Sequence, residues 1–219
     1  MSHKIIYSLL LTVVLSACNS NTNKKEETDK TDTEIIAEEN PKAVQESPQK
    51  IDNVEAIKKG YMSITDKIAT SELKQTSFEF DCAGEQVGKV TYYWDGNELK
   101  MIEKIYGEYS HRNATEQYYI SNGKPYFIYT KITDWSFDSD SGKEGATKDN
   151  VQEYRYYIID EKLVKCLKKE YTIRSAALEN PDPNTINNAT INCPGNEELL
   201  EPFKKLFNYR EQSAKIQCL

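Results

Sequence analysis

The chain has 219 residues, a formal net charge of −7, five cysteines and two histidines. An acidic chain argues against nucleic acid as a partner, because neutralising phosphates needs a basic surface. The length suits one ordinary domain plus terminal segments, and no apolar run is long enough to cross a ~30 Å hydrocarbon core as a helix.

The chain opens MSHKIIYSLLLTVVLSAC. Lys4 supplies a positive start and Ile5 to Leu15 an apolar run, after which NSNTNKKEETDKTDTE offers nothing to continue a core. That pattern predicts an export signal over residues 1–17. Leu15-Ser16-Ala17-Cys18 resembles the lipobox of bacterial lipoproteins, a leucine and two small residues before a cysteine. The resemblance implies a lipid on Cys18, cleavage just before it, and membrane partnership through the anchor. Asn19, where an aspartate would favour the inner membrane in Gram-negative families, implies a place in the cell envelope at the outer membrane. Residues 18–46 then read as the lipidated cysteine and a disordered tether, too poor in apolar groups to offset ordering entropy. A coil of that length reaches ~30 Å on average. The folded domain is expected over residues 47–219.

That domain begins with a helix. Ser47-Pro48 or Asp52 can start it, and Ile51, Val54, Ile57, Tyr61, Ile64 and Ile68 form one stripe. Gly60 weakens it by about 1 kcal/mol. SFEFDC, residues 77–82, alternates as a strand does. Three similar segments follow, starting YYWDGN at Tyr92, YYISNG at Tyr118 and YYIIDE at Tyr156. Each predicts a β-hairpin, with Asp95-Gly96, Asn122-Gly123 and the weaker Asp160-Glu161 at the turns. A two-residue turn at Asn122-Gly123 would set Tyr119 opposite Tyr126 and Tyr118 opposite Phe127. Alternation then gives a core face of Tyr92, Trp94, Tyr118, Ile120, Phe127, Tyr156 and Ile158. The other face carries Tyr93, Tyr119, Tyr126, Arg155 and Tyr157, a tyrosine row among polar groups and the candidate binding surface. Residues 134–150 read as a polar insertion and residues 173–193 as loop. A second helix begins near Asn196 and is expected to run to about 215, with Leu199, Leu200, Phe203, Leu206 and Phe207 on one face.

With Cys18 lipidated, Cys82, Cys166, Cys193 and Cys218 remain, an even number that suits up to two disulfides in an exported protein. A helix over 197–215 would hold its ends roughly 27 Å apart, so Cys193 and Cys218 should not pair. Cys193 with Cys82 or with Cys166 stays open. No catalytic motif, cofactor motif or metal-ligand spacing is present. Asp138-Ser-Asp140-Ser-Gly142 departs from the calcium-loop pattern at its fifth and sixth positions, which leaves a solvated loop as the expectation.

The paired-tyrosine hairpins resemble those of envelope lipoproteins of uncharacterised activity and, over residues 91–173, MORN-like repeats of different length. The expectation is an α+β domain: an antiparallel sheet of about six or seven strands, with both helices packed on one face. Its expected role is non-enzymatic, with an envelope protein or glycan as partner and no cofactor. An envelope hydrolase with a carboxylate site and an inhibitor or immunity-type lipoprotein are the alternatives.

Overall fold

The computed structural model describes residues 50–219. The signal, Cys18, the tether and Ser47 lie outside the described residues. The domain is α+β, and its strands follow one another across the sheet in chain order.

Helix α1 spans Val54–Ala69, and its cap is Asn53 rather than Asp52, the Asn53 side chain accepting the Ala56 N–H at 2.8 Å. The strands are β1 Lys74–Cys82, β2 Gln86–Asp95, β3 Glu98–Glu108, β4 Arg112–Ser121, β5 Lys124–Phe137, β6 Thr147–Ile159, β7 Lys162–Arg174 and β8 Ala189–Thr190, with α2 at Asn196–Asn208. All eight form one antiparallel sheet in the order β1 to β8. The count exceeds six or seven because the two-residue β8 adds to the seven long strands. Strands β5 and β6 also run into both ends of the supposed insertion at 134–150. Their polar residues there lie beyond both helices among the described residues, so polarity and strand are compatible.

The three tyrosine hairpins share one irregularity. Pairing shifts by a residue just after the second tyrosine, between Tyr93 and Trp94, between Tyr119 and Ile120, and between Tyr157 and Ile158. Each shift leaves an extra residue on the returning strand, a β-bulge. Tyr119 therefore faces Phe127, not Tyr126, and Tyr118 faces Ile128. Tyr126 is the extra residue, and it shares the same core as Phe127. The turns also differ in detail. Asn122-Gly123 adopts positive φ at both positions, as expected, and so does Asp160-Glu161. In the first hairpin Asp95 pairs with Glu98, so the turn is Gly96-Asn97, one residue later than Asp95-Gly96.

The two helices cover opposite faces of the sheet, which corrects the expectation of one shared face. The α2 face buries Tyr92, Ile102, Tyr118, Ile128 and Ile158 against Phe203 and Leu206, and the Tyr92 hydroxyl donates to the Leu206 carbonyl at 2.8 Å. The α1 face buries Tyr93, Met101, Tyr119, Phe127 and Tyr157 against Ile57 and Ile64. The helices separate because their loops enter from different edges: α1 precedes β1, while α2 follows β8 beyond the opposite edge. Gly60 lets α1 lie close, since a Cβ there would sit 2.9 Å from the Tyr126 hydroxyl.

Both sheet edges are fastened. Cys166 pairs with Cys193 and Cys82 with Cys218, at Cα separations of 5.3 and 4.5 Å. Helix α2 stops at Asn208, and the chain then returns to lay Ile216 along β1, exchanging hydrogen bonds with Glu79 and Asp81. An added Cβ on Gly88, in β2, would lie 2.3 Å from the Ile105 carbonyl oxygen and 2.8 Å from the Phe80 ring. Gly88→Ala is therefore expected to cost about 2 kcal/mol through overpacking, measured as a lower urea-unfolding free energy at unchanged m-value.

Candidate functional site

Register assigns every side chain on the α1 face to a row across the sheet. The first row, Tyr93, Met101, Tyr119, Phe127 and Tyr157, lies under the helix, with the Tyr61 ring 5.1 Å from Tyr119 and 5.5 Å from Phe127. Tyr93, Tyr119, Tyr126 and Tyr157 are thus core residues; Tyr119 is only 2 % exposed. Burial, followed by the neighbouring Glu103 carboxylate, pushes the Tyr93 hydroxyl up to about 12, so it stays a neutral donor. The solvent-facing tyrosine row is therefore overturned. Alternation sorted most of these residues by face correctly, but it could not reveal that this face also carries a helix.

The next row marks the border between covered and uncovered sheet. Tyr119 donates to Gln117 at 3.2 Å, Gln117 to Glu103 at 2.8 Å, and Tyr93 to the other Glu103 oxygen at 3.3 Å. Arg155 continues the row over the Tyr129 ring, 5.1 Å from its centroid. It is the one predicted site residue outside the core, and it is tied down. Its guanidinium donates to Glu153 at 2.7 Å and to Asn188 at 2.8 Å. Glu153 also accepts from Tyr171 at 2.9 Å and lies 3.3 Å from Lys169, which donates to the Pro183 carbonyl. These bonds fasten the 175–193 loop to the sheet. Glu153 and Lys169 are both buried.

Beyond that row no helix among the described residues lies over the α1 face. Its far half carries Val87, Ile105, Trp135 and Phe137, with Tyr109 and His111 at the adjoining β3–β4 tip. Phe137 is 70 % exposed, Tyr109 63 %, Ile105 49 % and Val87 46 %. The rings of His111, Trp135 and Phe137 form a series with centroid separations of 4.5 and 5.8 Å. Trp135 Nε1 donates to the Ser110 carbonyl at 2.6 Å, fixing the ring across the tip. The far half of the α2 face differs. There Arg112 pairs with Asp134 and Lys168 with Glu170, at 2.7 and 2.5 Å, and no exposed ring cluster appears among the described residues.

The calcium-like loop is already occupied by the protein's own charges. Asp138 is buried, pairs with Arg174, and has Lys148 at 4.0 Å. The Arg174 contact, opposed by burial, holds its carboxyl below the usual range. Among the described residues no group of three or more His, Cys, Asp or Glu could hold a metal ion.

The sequence reading missed the far half-face because its members come from three strands and a tip with no shared motif. A usable signal was DWSF, where Trp135 and Phe137 sit two apart inside a polar stretch. No family model matches this chain, and no curated protein or solved structure matches it.

The Glu153 network makes an acid-side prediction. Burial acts to raise the Glu153 pKa, but hydrogen bonds from Arg155 and Tyr171 and the charges of Arg155 and Lys169 outweigh it, leaving it lowered. A depressed carboxylate contributes stability above its unfolded value near 4.5 and loses it as pH falls through the lower folded value. Glu153→Gln should therefore flatten the loss of stability below pH ~4.5, read from urea midpoints across pH. Glu153→Ala, which removes the carboxylate from half-buried Arg155 and buried Lys169, should cost roughly 3 kcal/mol at pH 7.

Proposed function

We propose that this protein is a lipid-anchored component of a bacterial cell envelope that binds another macromolecule and is not an enzyme. The observation that carries the binding role is the uncovered far half of the α1 face. It gathers large apolar and aromatic side chains at exposures a monomer ordinarily keeps scattered. Its opposite face at the same level is closed by charge pairs, so the asymmetry is local. The lipobox at Cys18 and the polar stretch after it support the anchoring role. A single acyl chain holds a protein marginally, whereas two or three make a lasting anchor.

Two experiments test this reading. Cys18→Ala should move the protein from the membrane fraction to the soluble fraction, or leave an unprocessed precursor; normal processing with full membrane retention would refute the anchor. A photo-crosslinking residue at Phe137 should form defined adducts in cells. The same residue at Met62, 59 % exposed on the outer side of α1, should form none. Equal labelling at both positions, or at neither, would remove the half-face as the binding surface.

A further inference from the structure

The chemistry of the half-face narrows what it can hold, given the reading of that surface as the binding site. Its charges are of mixed sign, with Lys89 opposite Glu79, Lys131 opposite Glu153 and Asp149 opposite Trp135. Between its apolar residues stand Asn113, Thr115 and Thr133, uncharged hydrogen-bonding groups in adjacent register on β4 and β5. A polyanion finds no excess of cations here, and a cationic partner finds no excess of acids. The interior of a protein–protein patch is a continuous desolvated cluster, whereas Val87 and Ile105 are separated from the rings by Asn113 and Thr133. What remains is a ring platform beside neutral donors and acceptors.

A pyranose presents the complementary surface, with C–H groups on its faces and hydroxyls around its rim. Rings supply large, rigid area at low entropic cost, and amide and hydroxyl side chains meet the rim. We propose that His111, Trp135, Phe137 and Tyr109 form the stacking platform of a site for a neutral glycan chain, with Asn113, Thr115 and Thr133 as its hydrogen-bonding flank.

The β3–β4 tip adjoins the ring series through Ser110 and His111. Tyr109 and Ser110 both adopt left-handed backbone, at φ 49° and 57°. Neither is Gly, Asn or Asp, so both are strained there. Ser71, Ala83 and Glu161 take the same backbone region in other turns. The β3–β4 tip differs from those in presenting an exposed tyrosine next in sequence to Ser110, whose carbonyl accepts from Trp135.

The test uses full-length lipidated protein in a sugar-free detergent. The chain has two tryptophans, and Trp94 lies on the other face, bonded through Nε1 to Thr76 at 3.0 Å. Trp94→Phe therefore leaves Trp135 as the only tryptophan, excited selectively over the tyrosines at the red edge of the absorption band. The probes are chitohexaose, cellohexaose and maltohexaose, with polygalacturonate as the charged comparison, followed by Trp135 emission and by calorimetry. At least one neutral hexaose should shift the emission and protect Trp135 from acrylamide. Phe137→Ala should weaken that binding at least tenfold without lowering Tm. The double change Tyr109→Asn, Ser110→Gly should raise Tm and weaken binding together, a combination that a purely structural role for Tyr109 would not produce. Binding to none of the neutral hexaoses, tighter binding to polygalacturonate, or affinity unchanged by Phe137→Ala would overturn the glycan assignment. Phe137 crosslinks to a protein would then preserve the half-face as a binding surface, whereas loss of both signals would remove the two readings together.

Discussion

The paired tyrosines hold this fold together by facing opposite ways. Adjacent strand residues point to opposite sides of a sheet, so Tyr92 enters the α2 core while Tyr93 enters the α1 core. Tyr118 and Tyr119 repeat the division. An antiparallel sheet commonly keeps one face wet and alternates apolar with polar residues. Here the hairpin end is dry on both faces, which demands two large apolar side chains in succession. Tyrosine also provides a hydroxyl that can find a polar partner at the edge of each core, as with the Leu206 carbonyl, Glu116 and Gln117. The bulge after each second tyrosine is part of the same arrangement. It brings Tyr126 and Phe127 to the α1 core together, filling the space that Gly60 opens to the helix.

A meander sheet leaves two outer edges, each a row of unpaired backbone groups that invites another chain. This protein closes a part of each with its own C-terminal segment. Segment 189–196 covers part of β7, and the stretch around Ile216 covers part of β1. Neither cover is long enough to hold by backbone bonding alone, since β8 pairs at two residues and Ile216 at an isolated bridge. The disulfides stand beside these short contacts, and one of them joins residues 136 apart in sequence. Constraining loops of this size lowers the entropy of the unfolded chain, so each thiol pair strengthens a contact that is weak by itself. Export to an oxidising compartment, which the N-terminal signal pattern implies, would be a condition of the fold as well as an address.

Much of this architecture was legible residue by residue, and its failures have physical causes. The stripe from Ile51 to Ile68 locates α1, and the turn residues locate the hairpins, because both signals are local. The exclusion of a Cys193–Cys218 bridge agrees with the pairing found, although α2 is shorter than the periodicity suggested. What a single sequence does not carry is which element covers which surface. Tyr93 and Tyr119 alternate with Thr91 and Gln117, a pattern that reads equally as a half-wet face or as a core bordered by polar groups. Only the position of α1 decides between them. Arg155 was legible as an exception on its face, but its partners, Glu153 and Asn188, lie in a neighbouring row and a distant loop. The half-face is harder still, since Val87, Ile105 and Trp135 come to one face only through the register of four strands.

The uncovered half-face follows from element lengths. Helix α1 crosses the strands, from Lys58 beside Tyr157 in β6 to Lys67 bonded to Asp95 at the end of β2. A helix laid across a sheet shields a band roughly 10 Å wide, the length of about three strand residues. Strands β5, β6 and β7 run for 14, 13 and 13 residues, well beyond that band. Strands of this length are not needed to build the α1 core, which ends near the Glu103–Arg155 row, although the α2 core continues to Phe80 on β1. Shorter strands would have ended there and left no second surface. The extra length instead carries Trp135 and Phe137 outward on β5 and sets them beside the strained β3–β4 tip. Whatever meets the half-face meets a surface held rigid by paired strands and by the hydrogen bond from Trp135 to Ser110. It would bind without first ordering a loop, and that saving in entropy favours a shallow, open site of this kind.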